Sequence, residues 1–385
     1  MITTILFFVA SPFSERDYSR YGIEILKNHF NVLILDCTEL LNKEYNSKYK
    51  GLRIENNDYY CIRNLTQCLS LMRKNQFQTL AIENIGLSYR ANMIRNKLIE
   101  FNIPRVKLSI GLLPEASIKE RLTFARIFAL LKNPKTLVKK FYKLVLKLTI
   151  KNLNDQYVLC SGLASLQANK ISKTSKIISA HSLDYDVYLA NKNIKPTHVE
   201  PYAVFLDEDM FYHSDYEYLK IKPPVTKEIY YNSMKNFFNI FAKLNKIKVI
   251  VAAHPRSSYK LRPDLWGDFD VLIGKTHELV SNASVVLCHQ STALSFAVLW
   301  SKPIIFLTTN ELDSSIYGPN IHLFSKLLNS QVLNIDMQVD INRIESIKSP
   351  NEYAYRNYKD QYIKTPGSED IPFWEIFIQY VKCEL

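Results

Sequence analysis

The sequence predicts an α/β protein made of two parallel-sheet halves. Three observations carry this expectation. Short β-branched and apolar runs alternate with helical segments, the pattern of a parallel sheet with helices on both faces. The alternation loosens once, around "ANKNIKPTHVEP", and then begins again. At 385 residues the chain is also long for one domain and of ordinary length for two.

In the first half the strand-like runs are "TTILFFVA", "FNVLILDC", "QTLAIENIG", "IPRVKLSI", "DQYVLCSG" and "SKIISAHS". In the second they are "YAVFLDED", "KVIVAAHP", "DVLIG", "ASVVLCHQ" and "KPIIFLTT", with a helix expected over 226–246. The expected organisation is a domain over 1–195, a second over 200–367, and a closing helix over 368–385 capped by Ser368.

Composition narrows the function. Glycine is scarce, at nine residues, and there is neither a GxGxxG nor a GK[ST] phosphate loop, nor an internal repeat. The six cysteines, Cys37, Cys61, Cys68, Cys160, Cys288 and Cys383, form no CxxC pair, which predicts reduced, cytosolic thiols rather than a disulfide framework or zinc site. "MITTILFFVASPF" lacks a basic leader and reads as a first strand. No run approaches the roughly eighteen apolar residues of a membrane span. The formal charge is +12, and residues 118–151 hold ten Lys or Arg against one acid, Glu120. Apolar residues recur there at three and four, so the segment reads as two amphipathic helices broken near Pro134. Such helices suit an anionic membrane surface or are simply a solvated face. No nucleic-acid-binding signature is present.

Ligands of open α/β sheets bind beyond the carboxyl ends of the strands. One such end is "KVIVAAHPRSSYK", where an apolar strand breaks off into His254, Pro255 and Arg256. Another is "HQSTALSFAVLW", which sets Gln290, Ser291 and Thr292 before a helix. An imidazole, a guanidinium, two hydroxyls and a helix N-terminus together make a phosphate site. Taken singly, Ser291 or Thr292 can be an N-cap, and His254 a hydrogen-bonded core histidine. "YAVFLDEDMF" ends in Asp207 and Asp209, a pair able to hold Mg²⁺ or Mn²⁺ through oxygen. Its place at the start of the second half fits a hinge strand better than a metal site.

The His-Pro motif, the Ser/Thr motif and "KPIIFL", carried by two Rossmann-like halves, resemble the C-terminal half of GT-B glycosyltransferases. The similarity is to bacterial CMP-sugar transferases of the sialyl, polysialyl and capsular Kdo type, and to CDP-glycerol glycerophosphotransferases. It covers about 245–310. It implies two Rossmann-like domains facing across a cleft, with His254, Pro255, Arg256, Gln290, Ser291 and Thr292 on the donor nucleotide and no metal cofactor. It also implies a first-half acid as catalytic base. Glu83 in "IENIGLSYR" stands nearest the family's acidic pair and glycine, although Asn84 replaces the second acid and Ile85 precedes Gly86. Asp17 and Asp184 are the rivals; each can instead cap a helix or pair with an arginine. The implied protein is a cytoplasmic transferase of surface polysaccharide, peripheral to the inner membrane through 118–151. It would transfer a CMP-activated ulosonic or nonulosonic acid to a glycan or lipid-linked acceptor. A UDP- or GDP-sugar or CDP-glycerol donor, a sugar-nucleotide epimerase, and a non-catalytic glycan-binding protein are the alternatives.

Overall fold

A computed structural model of the chain describes every residue except 50, 117–156, 169–170, 172–173, 194–199, 214–215, 217–220, 258, 338–348 and 385. The basic segment 118–151 therefore lies outside the described residues. The chain forms two compact units. The first takes in residues 1–112, the described part of 124–183, and 364–385; the second takes in 113–116 and the described part of 184–363. The change of unit thus comes between Leu183 and Asp184, ahead of the loosened stretch, and the last residues return to the first unit.

The first unit is a seven-stranded, all-parallel sheet in the order β3-β2-β1-β4-β5-β6-β7. Its strands are β1 (Thr4–Val9), β2 (Asn31–Asp36), β3 (Tyr59–Cys61), β4 (Thr79–Asn84), β5 (Arg105–Ser109), β6 (Tyr157–Ser161) and β7 (Lys176–Ala180). Continuous apolar runs are needed because both faces are covered. Ile5, Phe7 and Val9 pack into one core layer, while Leu6 and Phe8 pack into the other with Met72, Ile94 and Leu98. β3 is a three-residue edge strand, too short and too polar in context to stand out in the sequence.

The tail closes the first layer. Thr365 donates from its backbone to the Ala180 carbonyl (3.0 Å) and from its hydroxyl to the Cys160 carbonyl (3.1 Å). The final helix runs Phe373–Glu384 rather than from Ser368, whose hydroxyl is spent on the Thr365 carbonyl in the preceding turn. Trp374 meets Phe7 edge-on at 6.0 Å. Gly22 is what admits the indole: its φ is +53°, and a Cβ there would stand 2.4 Å from Trp374 Cδ1.

The second unit is a six-stranded, all-parallel sheet in the order β10-β9-β8-β11-β12-β13. Its strands are β8 (Tyr202–Leu206), β9 (Lys248–Ala253), β10 (Asp270–Ile273), β11 (Val285–Cys288), β12 (Ile304–Thr308) and β13 (Gln331–Asn334). The chain steps outward from β8 to β10, then returns to β8's other side at β11. That is the Rossmann order with its switch point between β8 and β11. All five residues of β8 are buried, and the helix Lys227–Asn245 covers it with Tyr230, Met234, Phe237, Phe238 and Phe241 at helical spacing.

Trp374→Ala should cost the first unit about 3–5 kcal/mol, because the cavity it opens is walled by a sheet that cannot collapse into it. Denaturant unfolding measures this.

Candidate functional site

The second unit has a cavity of about 320 Å³ at the switch point of its sheet. Glu208 lines it from the end of β8, His254 from the loop after β9, and Gln290, Ser291 and Thr292 from the loop after β11. His213, Tyr317 and Asn320 add further walls, and the segment Leu113–Glu115 borders it as well. The two sequence motifs therefore meet, because β9 and β11 flank β8 on opposite sides.

The acids at the end of β8 hold these loops. Asp207 is 3 % exposed. Its Oδ2 accepts from the Tyr259 hydroxyl at 2.8 Å and from the His254 backbone N–H at 3.5 Å, and its Oδ1 from the Asp209 N–H at 3.1 Å. Glu208 reaches the other way, and its Oε1 accepts from the Gln290 N–H at 2.8 Å. Burial pushes the Asp207 carboxyl up to about 7 and the Glu208 carboxyl up to about 8. Asp209 has a positive φ of 49° and lies 3.9 Å from Arg262, whose guanidinium packs over the Tyr212 ring at 3.5 Å. Among the described residues no group of three His, Cys, Asp or Glu is arranged to hold a metal ion.

His254 lines the cavity, and its Nδ1 accepts from the Arg256 backbone N–H at 3.3 Å. That bond puts the neutral ring's proton on Nε2, making it a donor. The His213 ring lies beside it, with centroids 4.8 Å apart. Pro255 and Arg256 are exposed on the loop and are not part of the cavity wall. The core histidine of this unit is His289. It is fully buried, donates from Nδ1 to the Leu307 carbonyl at 2.7 Å and accepts at Nε2 from the Tyr230 hydroxyl at 2.9 Å. Burial takes it down to about 4, so it stays neutral.

The helix after the Ser/Thr motif differs from expectation. It spans only Leu294–Leu299, with Ala293 rather than Ser291 or Thr292 at its N-cap. Ser291 Oγ accepts from the Ala293 N–H at 3.3 Å, and Thr292 is exposed at the cavity. The two hydroxyls and the His254 ring, not a helix end, are what the site offers an anion.

None of the three first-half acids is among the residues lining this cavity. Glu83 is buried at the end of β4; both its oxygens accept from Arg95 Nε, at 3.0 and 2.9 Å, and Arg105 forms an ion pair with its Oε1 at 3.7 Å. Asp17 forms a capping box with Ser14 at the start of the helix Glu15–Arg20. Asp184 is in the first turn of the helix Leu183–Asn191, which carries it into the second unit. Sequence reasoning missed Glu115, which is exposed at the cavity. It lies in "GLLPEAS", the loop after β5, and the strand-end rule applied to that strand would have found it. The Ala116 N–H donates to Asn320 Oδ1 at 3.0 Å and fixes the segment there.

No family model matches the chain, and no curated protein matches it. Solved structures do. The wall teichoic acid polymerase TagF, as its H444N variant, is 9 % identical with a TM-score of 0.55, over 99 % of this chain and 88 % of that one. A protein of Listeria monocytogenes assigned as a UDP-N-acetylglucosamine 2-epimerase is 10 % identical with a TM-score of 0.50, over 100 % and 98 %. What is shared at this identity is the fold: two Rossmann-like domains of the GT-B type.

The raised Asp207 carboxyl fixes a pH dependence. Its folded pKa, about 7, lies above the unfolded value of 3.8, so the native state binds the proton more tightly. Stability from this group falls as pH rises from about 4 to about 7 and is level above. The loss is on the order of 4 kcal/mol. Glu208, raised from 4.5 to about 8, adds a slope of the same sign, so Asp207→Asn should reduce the slope by about half in urea titrations taken across this range.

Proposed function

We propose that the chain is a GT-B-type transferase of bacterial surface-glycan assembly. It moves a nucleotide-activated sugar, of the CMP-ulosonic or nonulosonic class, to a glycan or lipid-linked acceptor. One observation carries this: His254, Ser291 and Thr292, from two separate strand ends, converge on one cavity at the switch point of a Rossmann sheet. As the bond from the anomeric carbon to the donor phosphate oxygen breaks, charge builds on the departing nucleotide phosphate. The Nε2–H of His254 and the two hydroxyls are placed to take it up as hydrogen-bond donors. The anomeric carbon bonds to the acceptor oxygen, whose proton passes to a base.

Glu115 is the carboxylate we assign to that proton. It is exposed at the cavity, on the loop after β5. The basic segment 118–151 follows directly after it and supports a reading in which the enzyme works at an anionic membrane surface. Among the described residues no helix is long and apolar enough to cross a membrane.

Thermal shift with CMP, CDP, UDP and GDP tests the donor site, since a ligand of the native state raises the melting point by mass action. A cytidine nucleotide should stabilise the wild type by several degrees, and His254→Ala should lose the shift. CMP alone supports the CMP-sugar donor; CDP points to CDP-glycerol. A response confined to UDP or GDP replaces the cytidine donor, and no response to any of the four overturns the reading.

Glu115→Gln should keep the wild-type nucleotide shift and lower kcat by about 10²–10⁴-fold, the ordinary contribution of a general base. An unchanged kcat removes Glu115 from the chemistry.

A further inference from the structure

The second unit has another cavity, of about 450 Å³, which the donor site does not use. Sheet geometry puts the two at opposite edges. The helix Leu294–Leu299 starts beside Ser291 and Thr292 at the carboxyl end of β11 and runs back toward the amino end of β12. Its last turn, Val298 and Leu299, lines the second cavity with Ser301 beyond it. A nucleotide held by the His254 loop cannot also fill this cavity.

The lining has a definite chemistry. Tyr185 and Tyr188 form an aromatic wall, with centroids 5.5 Å apart, and Trp300 braces Tyr188 edge-on at 5.3 Å. Arg356 and Lys359, three positions apart, bring two cations from the helix Glu352–Tyr358 and the turn that continues it. Among the described residues neither cation has an ion-pair partner, and Glu352, on the same helix, has none either. Tyr355 is committed, its hydroxyl donating to the Lys302 carbonyl at 2.8 Å. Flat aromatic rings accept the C–H face of a sugar, hydroxyl and carboxylate oxygens accept its hydroxyl protons, and paired cations take an anion.

We infer that this cavity is a second ligand site, for an anionic saccharide segment. The choice of a saccharide rests on the transferase reading above; the aromatic wall and the two cations, which have no ion-pair partner among the described residues, stand without it. A site at the opposite sheet edge from the reaction would hold glycan already made, away from the growing end, and raise the effective concentration of acceptor.

Isothermal titration of the full chain at low salt tests this. The probes are a tetramer of galacturonate, its fully methyl-esterified form, a tetramer of glycerol phosphate, and inorganic phosphate. An anionic tetramer should bind at least tenfold more tightly than the neutral ester. Arg356→Ala with Lys359→Ala, and separately Tyr188→Ala, should each weaken binding tenfold or more. Preference for the galacturonate tetramer supports the site; preference for the glycerol phosphate tetramer, which has no sugar ring, would overturn the saccharide assignment. Equal binding of the ester, no binding of either anionic tetramer, wild-type affinity in the variants, or inorganic phosphate binding as tightly as the tetramers would overturn it. The nucleotide thermal shift is read on the same variants. If retained, it shows that they fold. If absent from the wild type while an anionic tetramer binds, the donor reading fails and this site stands.

Discussion

The second unit depends on two adjacent carboxylates at the end of β8. Asp207 reaches toward the β9 side and Glu208 toward the β11 side, each accepting a backbone N–H from the loop on its flank. The loops after β9 and β11 lie on opposite sides of β8, and these two carboxylates tie both of them to its end. Burying the acids raises their proton affinity, which is the cost of using them as fasteners. The result is that His254 and the Ser291–Thr292 pair stand over one cavity in fixed relation.

The first unit also uses charge for structure. Glu83 sits at the carboxyl end of β4, where a catalytic acid is expected in this fold, but two arginines enclose it. A buried carboxylate between guanidiniums is stabilised as a unit, and removing one partner leaves an uncompensated charge. Asp17 answers the open N–H groups of a helix start. These acids have their partners within a few turns of chain. Glu115 differs in that the backbone N–H of the next residue, Ala116, is anchored by Asn320, some two hundred positions later.

One sheet therefore presents two chemically distinct hollows. One has imidazole, hydroxyls and the raised Glu208 carboxyl; the other has tyrosine rings, two cations and the Glu352 carboxylate. The Leu294–Leu299 helix is buried along most of its length and links them rigidly.

The fold class was legible because parallel strands buried on both faces must be apolar at consecutive positions, and runs such as "ILFFV" and "KVIVAA" meet that demand by themselves. The edge strands Tyr59–Cys61 and Gln331–Asn334 were not legible, since strands of three and four residues with one neighbour need less apolar surface. The His-Pro and Ser/Thr motifs could be found as strand ends, and the order of strands then decided that they meet. Local pattern could not tell which histidine is core and which lines a cavity: His254 and His289 both follow apolar strands, and only Tyr230 and the Leu307 carbonyl make His289 structural. The same limit applies to Glu83 and Glu115. An acid's role depends on what long-range packing sets beside it, and the spacing of residues along the chain carries no record of that.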